Sequence, residues 1–342
     1  MRKIAVINQK GGVGKTTTTA NLGAAMARAG KRVLLIDFDP QGHLTLHYGA
    51  EVAPDQPSVY DVLTASIPIA DVALSVRENV TLVPADVDLA GVETELVSVT
   101  GREVLLREAL DLFEGSYDVM LIDCPPSLGI LTINALVAAE EVLIPLQAHF
   151  FGLQGLSKLL ETVTLVRQRI NPNLTVTGIA LCMHESATRL AGEVVEDLQN
   201  FLESSRGTSN AWANARICKT SIRRNIKLAE SCSFGQTVFD YAPKSNGAVD
   251  YTRLATEILE DIIITPVSSP TAPTRDATEA KARPKTKTDA VEVPSVAQAS
   301  HARKASRATE ALREPKVASA VEAAGTADTP ESARSDAAAA SA

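Results

Sequence analysis

Cysteine and aromatic side chains are scarce in this sequence: its 342 residues include 4 cysteines, and aromatic residues make up 4% of the chain. The cysteines form neither a C-x-x-C pair nor another spacing typical of zinc sites. The cysteines therefore predict no fold stabilised by a bound metal, and we expect reduced, mostly buried thiols. Apolar runs long enough to span a bilayer are absent as well, so the sequence predicts no membrane helix and no membrane partner.

A net positive charge is also lacking, because acidic residues outnumber basic ones and the formal net charge is −8. Such a chain is not a globally basic nucleic-acid binder, and any contact with DNA has to come from a local patch. A signal peptide is not predicted either, since an apolar strand-like run begins within the first few residues. Together with the reduced thiols, this pattern predicts a cytoplasmic protein.

The composition divides the chain into two parts. Residues 1–264 carry nearly all the apolar periodicity and are long enough to enclose a sizeable core. Residues 265–342 are rich in alanine, serine, threonine, proline and single charges, and they contain no aromatic residue. Such a segment cannot bury enough apolar area to offset its ordering entropy. We therefore expect one domain followed by a disordered spacer.

Strand-like apolar runs alternate with helical periodicity throughout the first part. The runs at 33–36 and 119–122 are continuous, which is typical of strands buried on both faces. The alternation predicts an α/β fold, a mostly parallel twisted sheet with helices on both faces. The predicted helices include residues 16–29, 58–63, 88–97, 102–112 and 247–264.

A glycine-rich turn at residues 8–17 joins the first strand to the first helix. Small residues let backbone N–H groups close on an anion, and the helix dipole favours negative charge there. Lys15 would neutralise the β- and γ-phosphates, and the Thr16 hydroxyl would hold Mg²⁺. The turn departs from the strict P-loop pattern, since Gln9 stands where the first glycine belongs and Lys10 follows it. A plain glycine turn would need neither the lysines nor the threonines. The predicted nucleotide site comprises Lys10, Gly11, Gly12, Val13, Gly14, Lys15, Thr16 and Thr17.

Acidic residues end two of the buried strands. Asp37 and Asp39 follow the run at 33–36, and Asp123 follows the run at 119–122. Carboxyl ends of central parallel strands lie beside the phosphate site in such sheets. An apolar run that closes on one aspartate is the Walker B arrangement, in which the carboxylate orders Mg²⁺ or its water. Around Asp39, a simple Asp-Pro-Gln-Gly turn is the alternative interpretation.

Basic residues cluster between positions 206 and 227, where no acidic residue intervenes. One interpretation is a solvated loop and helix face. The other is a contact with the phosphate backbone of a nucleic acid, which requires positive charge but no base-reading geometry. The sequence by itself leaves both open.

Together these motifs resemble the ParA family of partition ATPases, and in particular its chromosomal, Soj-like branch. The resemblance covers about residues 2–262 and makes the fold a P-loop NTPase with a deviant Walker A sequence. The stretches that carry it are residues 8–17, 34–42, 83–91, 118–131 and 245–247.

The resemblance implies roles for individual residues. Lys10 is the signature lysine, which reaches across a nucleotide-sandwich homodimer to the partner's ATP. Asp39 positions the hydrolytic water, while Asp37 and Asp123 serve the Mg²⁺ site. The family dimerises with ATP, binds DNA without sequence preference on the nucleoid, and is stimulated by a ParB-like protein to move chromosome or plasmid origins.

The sequence also departs from the family's pattern. His149 stands where a glutamate usually precedes an aromatic pair, and the family's Pro-Arg-Asn is Arg223-Arg224-Asn225 here. By resemblance, Asn225 contacts adenine. The cations that match the family's DNA-binding face are Arg189, Arg216, Lys219, Arg223, Arg224 and Lys227.

Two related functions remain as alternatives. A MinD-like ATPase would cycle on membranes through an amphipathic C-terminal helix, which residues 337–342 do not resemble. A ParA-like ATPase that positions a protein assembly would share the ATP chemistry and differ only in its cargo.

Overall fold

The computed structural model describes residues 1–53, 55–113, 115–185 and 189–260. The spacer expected at 265–342 and the end of the helix expected at 247–264 lie outside the described residues. Among the described residues, no helix combines the length and the apolar character that crossing a membrane requires.

The described residues form eight strands and twelve α-helices. The strands are β1 (Arg2–Val6), β2 (Val33–Asp37), β3 (Leu74–Arg77), β4 (Val80–Val83), β5 (Val119–Asp123), β6 (Glu141–Leu146), β7 (Thr175–Leu181) and β8 (Arg216–Ile217). The helices are α1 (Lys15–Arg28), α2 (His43–His47), α3 (Val59–Thr64), α4 (Ile69–Val72), α5 (Val92–Glu95), α6 (Leu105–Asp111), α7 (Ile130–Ala138), α8 (Phe150–Arg169), α9 (Arg189–Ser204), α10 (Ile226–Ser233), α11 (Val238–Tyr241) and α12 (Asn246–Glu260).

The strands form one sheet in the order β3-β4-β2-β5-β1-β6-β7-β8. Every neighbouring pair is parallel except β3 and β4. The predicted α/β class and the mostly parallel sheet are thus confirmed. The order places β1, which leads into the glycine-rich turn, directly between β5 and β6.

Apolar cores lie on both faces of the sheet. Leu34 and Ile36 of β2 face one core and Val33 and Leu35 face the other, as the two-residue period of a strand requires. Helices α1 and α12 cover one face, and α6, α7 and α8 contribute to the other. All four cysteines are free and three of them are buried, in agreement with the expected reduced thiols.

The helix predicted at 88–97 is wrong. This stretch holds a 3₁₀ turn at Val87–Gly91, the short helix α5 and a second 3₁₀ turn at Leu96–Ser98. Gly91 lies at the first break, where its low helix propensity weakens a continuous helix. The helix predicted at 58–63 is confirmed as α3, and a Ser58–Asp61 capping box fixes its start.

Gly23 sets how closely α1 approaches the sheet. A Cβ atom added there would lie 2.8 Å from Cδ2 of Leu35 in β2. We expect Gly23→Ala to lower the free energy of unfolding by about 1–3 kcal/mol, because overpacking forces the leucine out of its rotamer. Thermal unfolding measures the loss. Gly192→Ala is the control, because that added Cβ meets nothing within 4 Å, and equal unfolding of the two variants would contradict the close packing.

Candidate nucleotide site

The candidate site lies at the carboxyl ends of three adjacent strands. In the sheet register, Asp37 of β2 pairs with Asp123 of β5, and Asp123 pairs with Val6 of β1. The glycine-rich turn begins just after β1. The topology therefore brings the loop and both strand-end aspartates to one edge of the sheet, where open α/β sheets bind ligands.

Two glycines in the loop adopt a left-handed backbone, with φ of 73° at Gly12 and 93° at Gly14. Residues with a Cβ rarely adopt this conformation, so the loop shape depends on glycine. Asn8 fixes the loop's first half: its Oδ1 accepts from the Lys10 N–H at 3.0 Å, and its Nδ2 donates to the Pro145 carbonyl at 2.7 Å.

Helix α1 starts at Lys15 without a side-chain cap. The N–H groups of its first turn are therefore available to a bound anion, which the helix dipole also favours. Thr16 and Thr17 lie half-buried in this first turn.

The Lys15 side chain is buried within the loop, and its Nζ lies 3.4 Å from the Lys10 carbonyl oxygen. Burial lowers the pKa of Lys15, and the nearby charges of Asp123 and Asp39 oppose that effect. A buried ammonium that keeps its proton is stabilised by a negative charge, so the loop favours binding of an anion such as phosphate.

Asp37 is fully buried, and Thr45 makes two hydrogen bonds to one of its carboxylate oxygens. Its Oδ2 accepts from the Thr45 backbone N–H at 2.8 Å and from the Thr45 hydroxyl at 2.7 Å. That hydroxyl accepts in turn from the Ala85 N–H at 3.1 Å. Burial raises the pKa of Asp37 despite these hydrogen bonds. Thr45 was not predicted, because it lies eight positions beyond the strand end in a helix the sequence did not indicate.

Asp123 is also fully buried, and one of its oxygens is satisfied. Its Oδ1 accepts from the Thr19 hydroxyl at 3.1 Å, whereas Oδ2 has no hydrogen-bond partner among the described residues. Burial is the main cause that raises the pKa of Asp123, and the negative charge of Asp37 adds to it.

This pair of carboxylates fits a divalent cation. Burial raises the pKa of both acids, and Oδ2 of Asp123 has no hydrogen-bond partner among the described residues, so a nearby positive charge would stabilise the ionised pair. No group of three histidine, cysteine, aspartate or glutamate side chains gathers around a metal position within the described residues. Such a set suits Mg²⁺, which keeps several waters and binds through one or two carboxylates plus substrate phosphates.

Asp39 lies two residues beyond Asp37 and is 8% exposed. Its Oδ1 accepts from the Gln41 N–H at 3.0 Å, and its own N–H donates to Asp37 Oδ1 at 3.3 Å. The turn interpretation is therefore correct for the local backbone. Among the described residues no group donates to Oδ2 of Asp39, so this oxygen is available to a water.

Lys10 contacts a residue that the sequence singled out only as a departure from the family pattern. Its Nζ lies 2.8 Å from Nε2 of His149, which follows β6. Both side chains are half-buried. The distance between these nitrogens is that of a hydrogen bond.

Asn225 is the N-cap of α10. Its Oδ1 accepts from the Lys227 N–H at 2.9 Å. This bond fixes the side-chain amide and leaves its NH₂ group as the part that can donate to a ligand.

Acidic side chains from elsewhere in the chain pair with three cations of the basic segment. Arg223 binds Asp250 of α12 through Nε and Nη2, and the Asp250 side chain is 4% exposed. Arg224 Nε lies 2.7 Å from Glu185 Oε1, and both side chains are exposed. Lys227 Nζ lies 2.7 Å from Glu230 Oε2.

The remaining predicted cations have different surroundings. Lys219 is exposed, and Glu257 of α12 accepts from its backbone N–H at 2.7 Å. Arg216 is half-buried in the edge strand β8, and Arg189 is the first residue of α9. Asp250 and Glu257 stand seven residues apart on α12, so one helix supports the segment that contains Lys219 and Arg223.

Comparison with known proteins agrees with this geometry. A family model described as an AAA domain matches residues 1–176. The sporulation initiation inhibitor protein Soj of Bacillus subtilis is 44% identical over 256 residues, which cover 75% of this chain and 97% of that protein. The chromosome partitioning protein ParA of Caulobacter vibrioides is 40% identical over 262 residues, 76% of this chain and 94% of that protein.

The fold is also similar to that of a solved structure. Cobyrinic acid a,c-diamide synthase from Mycobacterium smegmatis, crystallised with ADP and magnesium, has a TM-score of 0.65 and is 36% identical. The match covers 77% of this chain and 96% of that one. The glycine-rich turn, the paired strand-end aspartates and the order of strands are thus found in a chain whose relatives are described as partition proteins.

Proposed function

Because the chain belongs to the ParA and Soj family of chromosome-partitioning ATPases, we propose that it hydrolyses ATP with Mg²⁺ to drive partition of DNA. In this proposal it forms a homodimer with ATP, binds DNA without sequence preference, and hydrolyses ATP faster when a ParB-like protein binds. The observation that carries the proposal is the phosphate loop with a second lysine beside two buried strand-end aspartates.

In the proposed site the loop and α1 bind the triphosphate. The backbone N–H groups of residues 11–17 surround the phosphates, and Lys15 neutralises their charge. Thr16, Asp37 and Asp123 would hold Mg²⁺, directly or through its waters. The ion supplies charge neutralisation at the β- and γ-phosphates. Asn225 would offer its amide NH₂ to the base.

Asp39 is proposed to orient the attacking water. Its Oδ2 is available while Oδ1 is fixed by the Gln41 N–H, so the carboxylate presents one oxygen in a set direction. Phosphoryl transfer depends mainly on positioning and on charge stabilisation. A fixed carboxylate with one available oxygen meets the positioning requirement.

Lys10 is proposed to complete the ATP site of the partner subunit. A cation supplied across an interface acts like an arginine finger, which neutralises charge in the transition state. We expect Lys10→Ala to lose at least about a hundredfold of the stimulated hydrolysis rate while ATP binding falls much less. Steady-state hydrolysis and equilibrium binding of a fluorescent ATP analogue measure the two effects. Equal loss of both would mean that Lys10 serves its own subunit.

The proposal is tested by binding to a random-sequence DNA duplex with ATP, with ADP and without nucleotide, across a salt series. Binding that requires ATP and weakens steeply with salt is expected, because release of counterions from phosphates sets the slope. Binding that is absent, or that nucleotide does not change, would contradict the partition mechanism.

The ion pairs divide the predicted DNA-binding residues into two groups. We expect Lys219→Ala to weaken DNA binding and to reduce the salt slope by about 1, because the Lys219 side chain is exposed and can contact a phosphate. Arg223→Ala should instead mainly lower thermal stability, because it leaves the buried Asp250 carboxylate without its guanidinium partner. Fluorescence anisotropy and thermal unfolding distinguish the groups, and a full salt-slope effect for Arg223→Ala would refute the division.

A second candidate function is positioning of a protein assembly by the same ATP cycle. The pairing of Arg223, Arg224 and Lys227 with acidic residues favours it, because paired cations attract phosphate less strongly. Under the first proposal the protein resides in the cytoplasm on the nucleoid, and its ATPase domain spans residues 1–264. Failure of the DNA test would leave the protein assembly as the cargo.

A further inference from the structure

Nε2 of His149 lies within hydrogen-bond distance of two groups, one that can only donate and one that can only accept. This nitrogen lies 2.8 Å from Lys10 Nζ and 3.0 Å from Oε1 of Gln147. A lysine ammonium can only donate, so a hydrogen bond from Lys10 requires a lone pair on Nε2. An amide oxygen can only accept, so a hydrogen bond to Gln147 requires a proton on Nε2.

Neutral imidazole cannot satisfy both neighbours at once. When the imidazole proton is on Nδ1, Nε2 accepts a hydrogen bond from Lys10 and cannot donate one to Gln147. When its proton is on Nε2, the ring donates to Gln147 and offers nothing to Lys10. The two tautomers exclude each other, and each has a hydrogen-bond partner for Nε2: Lys10 for one and Gln147 for the other.

The environment of Gln147 fixes which of its amide atoms faces the histidine. The amide Nε2 lies 3.0 Å from Sδ of Met183, an atom that can only accept. Met183 has a φ of 49°, an uncommon left-handed backbone for a residue with a side chain. A tight turn, in which the His149 N–H donates to the Gln147 carbonyl at 2.8 Å, holds the two residues together.

We propose that His149 is a positioning residue that holds Lys10 within its own subunit and releases it by a tautomer change. In the nucleotide-free subunit the imidazole carries its proton on Nδ1 and binds Lys10. When Lys10 leaves for the partner's ATP, the proton resides on Nε2 and Gln147 replaces Lys10 as the partner of that nitrogen. The second step rests on the proposed role of Lys10 in the dimer.

The first test needs no nucleotide. Long-range ¹⁵N–¹H correlation of the ¹⁵N-labelled full chain at pH 8 reports which imidazole nitrogen is protonated, and His149→Asn identifies the His149 signals. We expect an unprotonated Nε2 in the parent chain and a protonated Nε2 in Lys10→Ala. His43→Ala, which removes an exposed imidazole in α2, should leave the His149 tautomer unchanged. A protonated Nε2 in the parent chain, or the same tautomer with and without Lys10, would overturn the proposal.

The second test uses variants with opposite expected signs. Removing the imidazole in His149→Ala should lower the ATP concentration at half-maximal dimerisation about three- to tenfold, within the range of one typical intramolecular hydrogen bond. Gln147→Leu removes the amide oxygen that accepts from Nε2 in the released state, and it should raise that concentration about two- to fivefold. His149→Gln restores an acceptor and should return it to the parent value.

Sedimentation velocity across an ATP titration measures these midpoints. An unchanged or higher midpoint in His149→Ala, or a lower one in Gln147→Leu, would overturn the proposal. Absence of any ATP-dependent dimer in the parent chain would instead contradict the proposed function, while the tautomer measurement would still decide the role of His149. The two failures are therefore distinguishable.

Discussion

Replacing Asp39 by alanine is expected to lower ATP hydrolysis by about a hundred- to ten-thousandfold and to leave an ATP-bound dimer on DNA. The substitution removes the oxygen that we propose orients the water, but it leaves Lys15 and the loop intact. Binding energy for ATP should therefore remain while the chemical step is lost. Single-turnover hydrolysis and retention of the protein on a DNA-coated surface measure the two effects.

The control for this substitution is Asp71→Ala, which removes an exposed acid from α4. It should hydrolyse ATP at the parent rate. Hydrolysis at the parent rate by Asp39→Ala as well would remove Asp39 from the chemistry, and a matching loss of ATP binding would make its role structural.

Asp123→Asn is expected to change stability and activity in opposite directions. The asparagine can still accept from Thr19, and it removes one of two adjacent buried negative charges. Without Mg²⁺, we expect the free energy of unfolding at pH 8 to rise by about 2 kcal/mol, and the melting temperature by roughly 4–8 °C. Hydrolysis should fall at least about a hundredfold, because the carboxylate that orders the metal is lost.

The pH dependence follows from the direction of the pKa shifts. The folded-state pKa values of Asp37 and Asp123 are raised above the ordinary value of 3.8. Their stabilising contribution is complete below that value and is lost as the pH rises through the folded pKa values. The metal-free parent chain should therefore melt at lower temperature as the pH increases toward 8, and Mg²⁺ with ADP should reverse the decrease.

Asp118→Asn is a matched control on the segment that enters the same strand. Arg32 lowers the pKa of this exposed carboxyl through hydrogen bonds. Its substitution should lower the melting temperature slightly or leave it unchanged. If Asp123→Asn also lowered the melting temperature of the metal-free chain, the two buried carboxylates would not destabilise each other.

The sequence predicted the features that are local along the chain. The phosphate loop is encoded within ten consecutive residues, and the strand-end aspartates follow from two continuous apolar runs and parallel topology. The partners of these groups could not be predicted in the same way. Thr45 holds Asp37 from a short helix, α2, whose five residues carry too little periodicity to reveal it.

Ion pairs between residues that are distant in the sequence could not be predicted either. The basic segment contains no acidic residue, yet Arg223 forms an ion pair with Asp250 and Arg224 forms one with Glu185. These pairs join residues 27 and 39 positions apart, so only the folded positions of α12 and of the segment that follows β7 reveal them. The contact between Lys10 and His149 joins residues 139 positions apart.

The two outer strands limit how the sheet can grow sideways. One edge is β8, only two residues long, and the other is β3, an antiparallel strand whose register shifts between Ser75 and Arg77. Short or irregular borders offer few aligned N–H and C=O groups to a further strand. The short and irregular edge strands therefore disfavour edge-to-edge strand pairing between copies of the chain, even at high local concentration.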